Sequence, residues 1–395
     1  MKKPVIVAFA GTPWDSVWMN RQHLLSRLAA RGYRIAYSNG IAHYTEYGKL
    51  PFWPRLEWRD QVLLARRGYF PPASVRMSWL KRVALHQHCR ALLRSLGAVR
   101  AEDVIGMCFD ANLLDCVDAL APGRRIFHIY DSYHKMYGHV FEFENVRRRI
   151  GAYDLVTASS AQMYEEVTGR APRPECIVAN GVDFSSFECT EVAPSPTADA
   201  IRALPGTHIG YVGSINTKID FALISWLSER FSNDSFVLVG PTRHAILERM
   251  SEDLASYEQL RARPNVHILP PVSRHEVPAI LAAMDINCIF FRVDRADWVP
   301  AVYPIKLNEY LASGKPVLSC DLRVVREDFG EVVTTCLDRD GWAAAIEGLR
   351  SAPRDSGKVA ARMAVARAND WDRRVDQIET LIANLKPRDS SRTSA

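Results

Sequence analysis

The chain has 395 residues and a formal net charge of +5, with 48% hydrophobic and 24% charged residues. This composition is typical of a globular protein and excludes an intrinsically disordered chain. A single core rarely grows beyond about 250–300 residues, so the length predicts two domains. No apolar run is long enough for a transmembrane helix, and the apolar stretch near the N-terminus is too short for a secretion signal.

The first half alternates short apolar runs with helical patterns, which is typical of a parallel sheet with crossover helices. A helix is predicted at 19–31, where leucines at 24, 25 and 28 share one face. The predicted strands of this half are 4–10, 34–38, 103–108, 125–130, 154–158 and 176–179.

The second half shows the same alternation. Its predicted strands are 207–212, 235–239, 265–269, 285–290, 316–320 and 331–336. Its predicted helices are 219–231, 243–263, 275–284, 304–313 and 340–350. The chain is therefore expected to be an α/β protein with two doubly wound, Rossmann-like domains.

The domain boundaries follow from composition. Residues 191–206 are rich in Pro and small residues and are predicted to be a linker between domains at 1–190 and 207–369. Two such domains would face each other across a cleft lined by the carboxyl edges of their sheets. A further helix is predicted at 370–386, and the polar tail at 387–395 is predicted to be disordered.

The eight cysteines form no Cys-x-x-Cys pair and mostly lie in apolar runs. This pattern favours buried thiols in a reducing cytoplasm, and it disfavours a metal site.

The stretch from Tyr303 to Leu318 carries the clearest functional signal. Lys306 and Glu309 lie one turn apart at a predicted helix entrance, where Pro304 suits the first turn. Free amides and a lysine there would attract phosphate, and the carboxylate could accept hydrogen bonds from sugar hydroxyls. The pattern indicates a nucleotide site; an ordinary surface helix with a capping proline is the alternative.

An ordered set of motifs resembles the GT-B superfamily of nucleotide-sugar glycosyltransferases over nearly the whole chain. Within that superfamily, the chain resembles bacterial cell-surface polysaccharide enzymes, such as teichuronic-acid-type transferases and the xanthan-type glucuronosyltransferase. The motifs are Gly11-Thr12-Pro13, Arg21-Gln22-His23-Leu24-Leu25, Tyr153–Ser160, Asn180-Gly181-Val182-Asp183-Phe184, Gly210–Ile215, Phe236–Pro241 and the Tyr303–Leu318 stretch.

This resemblance implies that the N-terminal domain binds the acceptor and the C-terminal domain binds a nucleotide diphosphate sugar, with a UDP-sugar favoured. It also implies that the last helix crosses back onto the N-terminal domain and that no metal or other cofactor is required. Two departures from the retaining family of this superfamily, Ala301 in place of Glu and Ser214 in place of Arg, favour inversion and shift diphosphate binding towards Lys306.

The donor site is therefore assigned to Lys306, the amides around Tyr303, the Gly213-Ser214 loop and Glu309. Lys306 would stabilise charge on the departing diphosphate, Gly213 would allow close backbone approach, and Glu309 would contact ribose. Arg292 follows a buried strand; it could contact phosphate or a sugar carboxylate, or form a structural ion pair with Asp294 or Asp297.

An inverting transferase also needs a general base. Asp131 is preferred because it directly follows an apolar strand, where partial burial would raise its pKa. Asp15, in the first loop, is the rival, and helix capping is the alternative role of either residue. Trp14 and His134 are assigned to the acceptor side, although His134 could be structural.

Segment 49–100 is strongly basic, with eleven Lys or Arg residues against two acidic ones and interleaved Trp and Phe. Such a surface suits anionic lipid headgroups, so the protein is expected to bind the inner face of the cytoplasmic membrane and a glycan or lipid-diphosphate-linked acceptor. A solvated helix is the alternative. Nucleic acid binding is not expected because no base-reading motif accompanies the charge.

The sequence thus predicts a glycosyltransferase of bacterial surface polysaccharide synthesis. A non-hydrolysing nucleotide-sugar epimerase and a non-catalytic scaffold of a polysaccharide synthesis complex are the alternatives.

Overall fold

The computed structural model describes residues 3–41, 55–66, 78–98, 100–131, 143–188, 195–294, 299–352 and 355–386. The chain divides into two compact units. Unit 1 runs to Ala179 and resumes at Asp372, and unit 2 comprises Asn180–Trp371. Each unit is built on one sheet, so the predicted α/β architecture with two parallel-sheet domains is confirmed.

Unit 1 contains a seven-stranded sheet in the order β3-β4-β2-β1-β5-β6-β7, parallel except for the β3–β4 pair. Its strands are β1 Val5–Phe9, β2 Arg34–Ser38, β3 Arg55–Arg59, β4 Val62–Arg66, β5 Val104–Cys108, β6 Arg124–Ile129 and β7 Leu155–Ala158. Its helices are α1 Asn20–Ala30, α2 Ser78–Ser95, α3 Leu114–Leu120, α4 Phe143–Gly151 and α5 Ala161–Thr168. The buried faces of these helices and the fully buried β1 form its core.

Two predictions for this unit were wrong. The basic segment contains an antiparallel hairpin, in which Asp60 and Gln61 have positive φ and Val62–Ala65 are buried beside β2. Its arginine-rich first strand lacks the apolar signal that marks the parallel strands. The predicted strand at 176–179 is instead a 3-10 turn, Pro174–Cys176, with a single bridge between Ile177 and Ala158.

Unit 2 contains a six-stranded parallel sheet in the order β10-β9-β8-β11-β12-β13. Its strands are β8 His208–Val212, β9 Ser235–Val239, β10 Val266–Leu269, β11 Ile286–Ile289, β12 Val317–Cys320 and β13 Thr334–Cys336. Its helices are α6 Ser185–Glu188, α7 Pro196–Arg202, α8 Phe221–Arg230, α9 His244–Leu247, α10 Ser251–Arg261, α11 Val277–Ala283, α12 Lys306–Ala312, α13 Arg323–Asp328, α14 Arg339–Ser351 and α15 Ser356–Ala368.

The predicted linker at 191–206 is a helix in most of its described part. Ser195 caps α7 by accepting from the Ala198 amide at 3.2 Å, and Ile201 is fully buried against the unit. Residues 180–188 also belong to unit 2. The prolines that suggested an extended linker include Pro196, which occupies the first turn of α7.

The C-terminal helix α16, Trp371–Asn384, belongs to unit 1 from Asp372 onward. Lys3 donates to Glu379 at 2.8 Å, and the Gln377 amide donates to the Ile177 carbonyl at 2.9 Å. The fold therefore returns its last helix to the N-terminal unit, as the resemblance implied. The predicted disordered tail lies outside the described residues.

None of the helices within the described ranges is both long and apolar enough to span a membrane. The seven cysteines in those ranges are buried and form no disulfide bond with one another. Burial raises the pKa of the Cys288 and Cys108 thiols well above the ordinary value, so these groups are structural and not reactive thiolates.

Candidate functional site

The strand order of unit 2 reverses between β8 and β11, because the chain proceeds outward from β8 to β10 and then returns to the other side of β8. Such a reversal is called a topological switch point. Ligands of open parallel sheets bind there, outside the carboxyl ends of the strands. Gly213 immediately follows β8 and has φ of +150°. A Cβ on Gly240, which follows β9, would lie 2.1 Å from the Gly213 carbonyl oxygen. Both positions therefore require glycine, and no side chain at either position separates the backbone from the switch point.

Tyr310 fixes α12 against this edge. Its buried hydroxyl accepts from the Val212 amide at 2.8 Å and donates to the Val212 carbonyl at 3.2 Å. Lys306 lies one helical turn before Tyr310 and so shares its face. The end of β8 and the first turn of α12 are thereby held together, with Lys306 directed at Gly213.

Lys306 packs tightly into the switch point. Its ammonium donates to the Tyr211 hydroxyl at 2.6 Å and lies 4.1 Å from the centroid of the Tyr211 ring. A Cβ on Gly213 would come within 2.5 Å of the Lys306 Nζ. None of the described carboxylates forms an ion pair with this ammonium, so aromatic rings and one hydroxyl are its main contacts.

The surroundings of Lys306 disfavour its charged form. Its pKa is lowered to about 7, mainly by burial and also by the nearby positive charge of Lys218, while Glu309 partly opposes the shift. The positive charge of Lys218 therefore acts on Lys306 near the glycine-lined end of β8. An anion placed between them would relieve their repulsion and restore full charge to Lys306.

Glu309 lies one turn further along α12. Burial raises the pKa of its carboxyl group, the positive charges of Arg274 and Lys306 lower it, and the charge of Asp183 raises it. The carboxylate thus lies between cations and a second acid, and it can accept hydrogen bonds from a polar ligand.

An asparagine pair connects the Asn180–Asp183 motif to α12. The Asn308 amide donates to the Asn180 carbonyl at 2.9 Å and to the Tyr303 hydroxyl at 3.1 Å. The Asn180 amide in turn donates to the Tyr303 carbonyl at 3.0 Å. Tyr303 is therefore a buried structural residue. Its contacts fix the position of the backbone before α12.

The other predicted donor residues differ in position. The Ser214 carbonyl accepts from the Tyr211 hydroxyl at 3.1 Å, so the Gly213-Ser214 loop and Lys306 belong to one cluster. Arg292 instead forms ion pairs with Asp253 at 3.7 Å and Asp294 at 3.4 Å. The structure therefore shows the ion pair between Arg292 and Asp294 that was given as the structural alternative.

Sequence reasoning missed several contributors to this site, namely Tyr211, Lys218, Arg274 and Asp183. A lysine in the loop after β8, such as Lys218, is itself a signal of an anion site. The others lie far from α12 in sequence, and only the strand order brings them to one edge.

The acceptor-side predictions fall in unit 1. Asp131 lies two residues beyond β6, at the carboxyl edge of the sheet as expected. Both Asp15 oxygens are engaged by guanidinium groups, one by Arg59 and the other by Arg66 at 2.8 Å. Trp14 is only 4% exposed and packs edge-to-face on Tyr37 with ring centroids 5.0 Å apart, so it offers an acceptor little surface. His134 lies outside the described residues.

A second carboxylate at this edge was missed. Asp110 follows β5, next to β1, where the strand order of unit 1 reverses. Its Oδ1 accepts from the Asn112 amide at 2.9 Å, and a Cβ on Gly11 would lie 2.1 Å from its Oδ2. The argument that selected Asp131, a carboxylate directly after a buried strand, would have found Asp110 as well.

Comparison with known proteins identifies the domain that carries Lys306 and Glu309. Residues 206–351 match the family model described as Glycosyl transferases group 1. Unit 2 contains a group 1 glycosyltransferase domain. The matched range holds β8 to β13 and the cluster around α12, except for the Asn180–Asp183 motif.

This chain is 28% identical over 231 residues to a Bacillus subtilis (strain 168) protein. That protein is provisionally named TuaH, a glycosyltransferase of teichuronic acid biosynthesis. The match covers 57% of this chain and 55% of that protein, so this chain matches about half the length of its relative.

Solved structures extend the likeness to both units. The trehalose-6-phosphate synthase OtsA has a TM-score of 0.70 at 11% identity, covering 97% of this chain and 100% of its own. Anabaena HepE, solved in complex with UDP and glucose, has a TM-score of 0.68 at 14% identity with the same coverage. The group 1 glycosyltransferase domain therefore lies within a complete GT-B fold, as predicted.

Proposed function

We propose that this protein transfers a sugar from a nucleoside diphosphate sugar, with a UDP-sugar favoured, to a glycan or lipid-linked acceptor of a bacterial surface polysaccharide. The observation that carries the proposal is the Lys306 ammonium, held without an acidic partner among the described residues at the β8–β11 switch point. The UDP complex of HepE supports this donor class, and the name of TuaH supports the polysaccharide role.

In the proposed complex the diphosphate lies against Gly213 and between Lys306 and Lys218. Negative charge grows on the diphosphate as the glycosidic bond breaks, and fixed cations stabilise the transition state more than the ground state. Glu309 accepts hydrogen bonds from the ribose hydroxyls. The two lysines supply the positive charge that a metal would otherwise provide, so we expect a metal-independent reaction.

Replacing Lys306 with Met should weaken UDP binding about 10- to 100-fold while changing uridine binding little, because the ammonium contacts only the diphosphate. At pH 8 the free lysine is mostly neutral, so UDP binding by the wild-type protein should take up close to one proton. Calorimetric titrations in buffers of different ionisation enthalpy measure both quantities.

Glu309→Gln is the matched control, since it should weaken uridine and UDP alike and keep the proton uptake. Equal affinity of Lys306→Met and wild-type protein for UDP would refute the donor site. Saturable binding of no UDP-, GDP- or dTDP-sugar would refute the donor class.

We further propose an inverting reaction with Asp131 as the general base, because it lies at the carboxyl edge of unit 1. Asp15 ranks lower because two arginines occupy its carboxylate. Asp110 is an additional candidate at the same edge.

Asp131→Asn should reduce UDP release in the presence of lipid-linked glycan primers by about 10²- to 10⁴-fold, the usual effect of losing a general base. UDP affinity should stay unchanged, and the product anomer should be inverted relative to the donor. Asp15→Asn and Asp110→Asn serve as comparisons. The assignment is wrong if either of them, and not Asp131→Asn, causes the loss, and conversion of the donor without any acceptor would indicate an epimerase.

We also propose that α2 contacts the inner membrane surface. Its Trp79 and Val83 are 61% and 43% exposed, and Arg82, Arg90 and Arg94 share that face with no acidic partner in the described ranges. Two other basic residues of segment 49–100 form ion pairs: Lys81 pairs with Asp115 at 2.8 Å, and Arg66 pairs with Glu57 at 2.7 Å.

Reversing the three α2 arginines to Glu should lower affinity for phosphatidylglycerol vesicles by more than about 100-fold, since each basic residue near an anionic surface contributes about 1 kcal/mol. Vesicle co-sedimentation measures the effect, with neutral phosphatidylcholine vesicles as the reference. The matched control reverses three exposed arginines of unit 2, Arg202, Arg261 and Arg326. An equal loss in both variants would mean that only net charge matters, and would contradict a specific α2 surface.

A further inference from the structure

Arg21 is a buried cation of unit 1 that lacks an acidic partner among the described residues. The residue lies in the first turn of α1 and is 2% exposed. Its Nη2 donates to the Thr12 hydroxyl, and its guanidinium carbon lies 5.2 Å from the centroid of the Tyr130 ring. Its Nε and Nη1 are buried and have no hydrogen-bond partner.

This arrangement is costly for an arginine. The guanidinium stays charged in proteins, so it cannot relieve burial by losing its proton as Lys306 can. Buried charges are normally paired and hydrogen-bonded, and one hydroxyl with one aromatic face satisfies only part of the donor set. The unsatisfied nitrogens therefore indicate an acceptor other than those that the described residues supply.

Arg21 also lies where a ligand is expected. Thr12 follows β1 and Tyr130 follows β6, so these two contacts of Arg21 are at the carboxyl edge of the unit 1 sheet. The strand order of unit 1 reverses between β1 and β5 at this edge. The charges of Arg21 and Asp110 both act on the hydroxyls of Tyr37 and Tyr130, which places one cation and one carboxylate around the same switch point.

We propose that Arg21 binds an oxyanion of the acceptor, a phosphate or a carboxylate, at the carboxyl edge of the unit 1 sheet. The proposal rests on the proposed function, because it names a chemical feature of the acceptor. The anion replaces the Thr12 hydroxyl and satisfies the free guanidinium nitrogens. Arginine suits this role because its charged N–H groups match the oxygens of both anions. Opening of the Gly11–Met19 loop, which carries Thr12 and the 37% exposed Trp18, gives the anion access.

The test measures thermal unfolding of the full chain with inorganic phosphate and, separately, with D-glucuronate. All variants carry Lys306→Met, so that phosphate bound at the donor site does not contribute. At least one anion should raise the Tm of this parent with a saturating concentration dependence, and Arg21→Met should abolish the rise. Without anion, the Arg21→Met chain should be at least as stable as the parent, because it no longer buries an unpaired charge.

Arg27→Met is the matched control on the same helix, where Arg27 already faces Asp372 at 3.5 Å, and it should keep the anion response. Arg21→Lys keeps the charge and should retain a weaker response, which covers the case in which Arg21→Met does not fold. A response to phosphate alone or to glucuronate alone identifies which anion the acceptor carries.

The proposal is overturned if neither anion raises the Tm of the parent, or if the rise persists in Arg21→Met. A lower Tm of Arg21→Met with an intact anion response would show a purely structural role, which also overturns it. UDP titration of the wild-type chain separates this result from the donor proposal. UDP binding without an anion response refutes only the Arg21 site, and an Arg21-dependent anion response without UDP binding refutes only the donor site.

Discussion

The proposed donor site depends on one desolvated charge, the ammonium of Lys306 between the Tyr211 ring and the Gly213 backbone. Tyr310 sets its position by binding the end of β8. Gly213 leaves the space that the ammonium occupies, and Gly240 leaves space for the Gly213 backbone. Lys306 has no acidic partner among the described residues, and its lowered pKa shows that burial disfavours its charged form. In the proposed complex a diphosphate would supply the opposite charge, so we expect the burial of Lys306 to favour donor binding.

Unit 1 has a similar buried cation, Arg21, whose guanidinium does not lose its proton. Both sheets have a cation without an acidic partner among the described residues at the point where the strand order reverses, Lys306 beside β8 and Arg21 beside β1. Lys306 can be neutral in the absence of a ligand, whereas Arg21 remains charged and contacts a hydroxyl and an aromatic ring. A transferase has two substrates to bind, and two such cations match a donor diphosphate and an anionic acceptor.

Local patterns predicted the parallel strands and the spacing of Lys306 and Glu309, because buried strands are continuous apolar runs and helix neighbours are three or four residues apart. The β3–β4 hairpin was missed because β3 is mostly exposed and rich in arginine. Helix α15 was missed because Ala366 is its one fully buried residue, although its Arg362 donates to the Gly314 carbonyl after α12. Tyr211 and Lys218 are about 90 residues from Lys306, and only the β8–β11 adjacency reveals their contact.

The most direct test of the donor site is the pKa of Lys306 itself, measured by NMR of the lysine side-chain ε-methylene groups, with Lys306→Arg to assign the signal. The free protein should show a lysine that titrates near pH 7, and saturating UDP should return its pKa towards the ordinary value of 10.5. Uridine, which lacks the diphosphate, should leave the low pKa in place. A free Lys306 that titrates at the ordinary value, or one whose titration UDP does not change, would contradict the account.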